Sequence, residues 1–85
     1  MKELIGSCVF IRTVTVYHVG RVVDVVDGFV RLADASWVAD TGRWSKALAS
    51  GVLSEVERFQ DDVFVSVGAI VDVTLWSHDL PTVTK

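Results

Sequence analysis

Apolar residues in the first half of the chain recur with the period of a β-strand. Cys8-Val9-Phe10-Ile11 is uniformly apolar, and from there to Tyr17 the chain alternates Thr13/Thr15/Tyr17 against Val14/Val16. This predicts one strand over 8–17, buried on both faces at its start and on one face at its end, with His18 in the turn that follows. A second run, Gly20 to Val26, sends Val22 and Val26 to one face and Val23 and Val25 to the other. Asp27-Gly28 interrupts it, and Phe29-Val30-Arg31-Leu32-Ala33 resumes. Asp-Gly between two apolar runs predicts a hairpin, because a type I′ turn needs positive φ at both central residues.

The period changes in the middle of the chain. Arg43 to Ser50 lacks β-branched residues and places Trp44, Ala47 and Leu48 on one helical face. A short helix follows, with Thr41 as its expected N-cap, Gly51 as its left-handed stop, and Trp44 and Leu48 as its contacts with a sheet. Trp37, after Asp34-Ala35-Ser36, falls outside both patterns and reads as a loop residue, either a lid over the core or an interface anchor. Residues 52–59 alternate weakly, as an edge strand does, and Gln60-Asp61-Asp62 reads as a turn. Val63–Val67 and Ala69–Trp76 read as strands joined across a bulge or tight bend at Gly68. Pro81 ends regular structure and leaves 81–85 as a frayed tail. The expected fold is mainly β with one short helix, a single domain over 1–85. It is a small, strongly bent sheet or SH3-like barrel of five or six strands.

Composition fits one small soluble domain. The chain has 85 residues, 51% of them hydrophobic and 22% charged, with one proline and one cysteine. Eighteen valines favour a pleated surface over a helix. A single Cys8 cannot form an internal disulfide, and its apolar neighbours read as those of a small buried hydrophobe. The N-terminus reads as having no secretory signal, and the longest uncharged run, Val63 to Val71, is far short of a membrane span. The net charge is −3, with six Lys/Arg against five acids in residues 1–50 and two against six in the remainder. Binding to duplex nucleic acid, which needs a concentrated basic face, is not expected.

The chemistry on offer is sparse. Two histidines, His18 and His78, lie far apart in sequence, and an enzyme would need one of them beside a carboxylate such as Asp34 or Asp72. No spacing suggests a metal site, the six glycines are scattered singly rather than gathered in a phosphate loop, and no cofactor is implied. Arginines and aromatics, by contrast, share the first half. Guanidinium forks for phosphate and aromatic faces for a base are what a nucleotide pocket requires. The candidate set is Arg12, Arg21 and Arg43 for phosphate, Tyr17 or Trp37 for stacking, and His18 for orientation. Trp44 and Trp76 read as core. On the last strand Asp72 and Thr74 share a face with Ile70 and Trp76, a mixed surface suited to a subunit contact. Mean hydropathy is +0.45, and a chain this short cannot cover so much valine alone. Homo-oligomerisation is therefore expected, with a cyclic dimer as the base case.

Gly6, Arg12-Thr13, His18-Val19-Gly20, Asp34-Ala35, Leu48-Ala49-Ser50-Gly51 and Ile70 to Trp76 together resemble a family of small uncharacterised proteins carried by tailed phages and prophages. The resemblance runs over most of the chain through short motifs. Ser36-Trp37 stands where paired arginines are common in that family. The resemblance implies a viral accessory protein working in the host cytoplasm. Combined with the absence of catalytic motifs, it suggests a homo-oligomer that sequesters a nucleotide signal of host immunity without cleaving it. The rival reading is a protein-binding or structural module that caps a host protein or joins an assembly.

Overall fold

The computed structural model describes all residues from Met1 to Lys85. After a short 3-10 turn at Lys2–Leu4 come β1 (Cys8–Thr13), β2 (Tyr17–Val26), β3 (Phe29–Asp40), α1 (Trp44–Ser50), β4 (Glu55–Arg58), β5 (Val63–Ser66) and β6 (Ile70–Leu75). The strands form one antiparallel sheet in the order β4-β3-β2-β1-β6. The long β3 carries β4 on the outer edge of its second half and β5 on that of its first half. The sheet is bent but not closed, so the barrel alternative does not hold.

The Asp27-Gly28 hairpin is where the sequence placed it. Asp27 and Gly28 have φ of 51° and 80°, and Val26 pairs with Phe29. The strand expected over 8–17 is in fact two strands. The chain reverses at Val14-Thr15, and Arg12 pairs with Tyr17. Thr13 holds this turn: its hydroxyl donates to Val16 O at 2.8 Å and accepts from Val16 N–H at 3.1 Å. Consequently His18 is not a turn residue. It lies within β2, opposite Ile11 on one side and Trp37 on the other.

Two irregularities in the β2–β3 ladder bend the sheet. The register shifts between Val22 and Asp24, so Val25, not Val26, joins Val22 on the inner face. It shifts again opposite Gly20, where Asp34 takes φ of 51°. Such a bulge adds twist and exchanges the faces of the residues beyond it. Val30 and Leu32 therefore face one core, and Val38 faces the other. Inside the bend Val9, Ile11, Val22, Val30, Leu32, Ala35 and Val65 form one cluster. On the back, Phe10, Val19, Val38, Val56 and Trp76 pack with Ala47 of α1 and Leu53. Trp37 is corrected from a loop to a half-buried residue of β3, opposite Glu57 of β4.

The helix matches its expected extent within a residue. Gly51 ends it at φ 75°. Its N-cap is Arg43, without a side-chain capping bond, and Thr41 does not cap; the Thr41 hydroxyl donates instead to Gly42 O. The helix rests on the sheet through Ala47, while Leu48 stays 40% exposed. His78 Nε2 lies 2.7 Å from Leu48 O and, in the tautomer that carries its hydrogen there, donates to one of the helix's terminal carbonyls. Of the bulge or tight bend expected at Gly68, the chain takes the bend, a 3-10 turn over Val67–Ala69. The segment beyond Pro81, expected to fray, runs along β4. There Val56 and Lys85 exchange backbone hydrogen bonds of 2.8 and 2.9 Å, and Arg58 donates to Pro81 O at 2.9 Å.

Candidate functional site

A groove of about 350 Å³ on the back of the sheet combines aromatic and charged groups. Alternation along β1 and β6 builds it. Phe10 and Arg12 are neighbours on one face of β1, and their cross-strand partners on β6 are Thr74 and Asp72. Tyr17 enters from β2 opposite Arg12. Thr41 and Trp44, just before and at the start of α1, close the far wall. Phe10 is buried at the centre, with ring centroids 4.7 Å from Trp44 and 5.7 Å from Tyr17. Trp44 itself is 37% exposed, so it is a groove wall and not the core residue the helical pattern implied. Trp76 is core, as expected, 5.6 Å from Phe10 on its other side.

Arg12 and Asp72 form a bidentate pair. Arg12 Nε donates to both carboxylate oxygens at 3.0 and 2.9 Å, and Nη2 donates to Oδ2. The hydrogen bond to Arg12 holds the Asp72 carboxyl below its usual range, and Asp72 in turn raises the guanidinium. A second depression of about 340 Å³ adjoins the first, with Thr13, Thr15 and Val71 in its lining. Arg12 and Tyr17 belong to both.

Of the six candidate ligand residues, the fold brings Arg12 and Tyr17 together in this groove. Arg43 directly precedes Trp44 on the groove's helical wall and is exposed, with no ion pair. Arg21 lies elsewhere, bonded to Asp34 at 2.7 Å. Trp37 and His18 form a cross-strand pair away from the groove. His18 is 8% exposed, and its ring stacks on Phe59 at 5.9 Å. Neither histidine bonds a carboxylate, and no group of three or more His, Cys, Asp or Glu side chains is placed to hold a metal ion. No helix is long and apolar enough to cross a membrane. Sequence reasoning missed Phe10, Thr41, Asp72 and Thr74 as lining residues. For Phe10, Asp72 and Thr74 the period-2 pattern of β1 and β6 held that signal, but only the β1–β6 pairing makes it readable; Thr41, between β3 and α1, had no such signal.

His18 carries a consequence for stability. Its Nδ1 is buried without a partner, and burial lowers its pKa from the ordinary 6.5. The unfolded chain thus binds a proton that the folded chain resists, and stability falls as pH drops below about 6.5 until the folded pKa is reached. Thermal melts between pH 8 and pH 5 are expected to show this decline. His18→Phe, which keeps the stack on Phe59, should flatten it; an unchanged slope would mean the decline arises elsewhere. Loss of the Asp72 contribution comes in more acid solution, below that carboxyl's ordinary 3.8.

No protein-family model matches the chain, and a search of curated proteins found no match.

Proposed function

We propose that the protein is a non-enzymatic binding module whose groove holds a planar aromatic ligand bearing negative charge, foremost a nucleotide, without turning it over. The observation that supports this is the convergence of Phe10, Tyr17 and Trp44 on a guanidinium, Arg12. A base stacked against Tyr17 or Trp44 has three nearby partners for its exocyclic groups: the Asp72 carboxylate and the hydroxyls of Thr41 and Thr74. The phosphate goes to the side of Arg12 away from Asp72, toward Thr15 in the adjoining depression, with Arg43 as the unpaired cation beyond Trp44. Asp72 repels a bare anion, so the base supplies most of the affinity and inorganic phosphate binds poorly. In the light of the phage resemblance, the ligand is a nucleotide signal of host defence, sequestered in the host cytoplasm.

A thermal-shift panel of mononucleotides, cyclic dinucleotides, nucleosides and phosphate tests this. Stabilisation by at least one nucleotide, with the ligand recovered intact, is the expected result. Tyr17→Ala should weaken that binding about ten- to a hundredfold, the loss of one stacked base. A panel without any nucleotide response would overturn the reading in favour of a partner protein, and hydrolysed ligand would make the protein an enzyme.

A further inference from the structure

The two ends of the sheet are finished differently. On β4 the outer edge is occupied by the C-terminal segment, through the Val56–Lys85 exchange. The short edge strand β5 has four residues and follows Asp61 and Asp62, features that blunt an edge. On β6 nothing covers the outer side. Trp76 N–H donates to Cys8 O at 2.8 Å, so the even-numbered residues of β6 turn their backbone groups toward β1. Val73 and Leu75 turn theirs outward, and Val71 stands at the bulge in the β1–β6 ladder; Val71 is 57% and Leu75 63% exposed. The one charge on this strand, Asp72, is held by Arg12 and does not guard the edge.

We infer that β6 pairs antiparallel with β6 of a second copy of the chain, about a two-fold axis at Val73, to give one continuous sheet through the dimer. The register follows from the residues. Outward backbone groups lie on Val73 and Leu75, so Val73 can meet Val73 or Leu75, and a slip the other way would set Val73 against the bulged Val71. Pairing Val71 with Val73 puts Asp72 opposite Asp72, a like-charge contact that destabilises a ladder. Pairing Val73 with Leu75 leaves exposed Val71 facing Ser77. Centring on Val73 matches Val71 with Leu75, the two most exposed apolar residues of the strand, and sets Asp72 opposite Thr74. The bulge at Val71, between the pairs Arg12–Asp72 and Thr13–Ile70, ends the pairing there. Because Asp72 and Thr74 line the aromatic groove, the two grooves of such a dimer adjoin across the axis. The inference stands on the strand edge alone and holds whether or not the groove binds a nucleotide.

Sedimentation equilibrium on the full chain tests it, with the wild type expected at twice 9.3 kDa. The double variant Val71→Lys with Leu75→Lys sets lysine against lysine at both symmetric pairs and should weaken the dimer about tenfold or more. Val71→Lys with Leu75→Glu sets lysine against glutamate and should keep it. A monomeric wild type, or equal behaviour of the two variants, overturns the inference. Amide exchange on the wild type is a check that needs no variant. The Val73 amide should be protected at high protein concentration and exchange freely on dilution, and free exchange at every concentration also overturns the pairing.

Discussion

Replacing Phe10 by alanine is expected to lower the unfolding free energy by about 3–5 kcal/mol, the cost of emptying a fully buried aromatic site. Phe10 is 1% exposed, and its ring lies within contact of Tyr17, Trp44 and Trp76. Phe10 belongs to the core behind the sheet and also forms the floor of the groove. A domain of 85 residues has roughly 4–13 kcal/mol of stability in all, so this single change brings the fold near its limit. The melting temperature should fall by about 15 °C or more. Phe64→Ala serves as the control, since Phe64 on β5 is 55% exposed and its loss should cost about 0.5 kcal/mol or less. Equal losses in the two variants would mean that Phe10 does not organise the rear core. Phe10→Leu, which retains most of the buried volume, should fold while binding ligand less well, separating the groove from the core.

The elements that the sequence foretold are those governed by a local rule. Asp27-Gly28 tolerates two successive positive φ values, and Gly51 takes the left-handed stop of α1; each signal is complete within two residues. The reversal at Val14-Thr15 carries no such signal. Neither residue has positive φ, and the turn is held by the Thr13 side chain within an unbroken β-branched run. Missing that turn moved His18 out of β2. The bulge at Asp34 likewise hid the strand beyond it and made Trp37 look like a loop residue. Two of the seven residues that line the groove were visible for a related reason. Arg12 and Tyr17 are close in sequence, across one tight hairpin, whereas Asp72 and Thr74 arrive from 60 residues away. A pairing of that range follows from which strand covers β1, and composition cannot report it.

The bulge itself rests on Gly20, and Gly20→Ala is the second change with a large expected effect. A Cβ on Gly20 would lie 2.9 Å from Ala35 Cβ and 3.2 Å from both Ala35 Cα and Leu32 Cβ. Neither neighbour is a flexible side-chain tip. Ala35 is buried at 1% exposure directly beyond the strained Asp34, and Leu32 is fixed in the inner core. The added methyl group must push β3 away from β2 at the point where the sheet bends, at a cost of about 1–3 kcal/mol. Chemical denaturation should show a lower midpoint with an unchanged slope. Ala35→Gly in the same chain removes the closest contact, so the double variant should recover part of the loss that Gly20→Ala causes alone. Strict additivity of the two losses would place the strain elsewhere than at the β2–β3 crossing. Recovery would identify the close approach of Gly20 to Ala35 as what lets β3 exchange its faces. That exchange is the step by which one strand supplies Val30 and Leu32 to the inner core and Val38 to the layer beneath the helix.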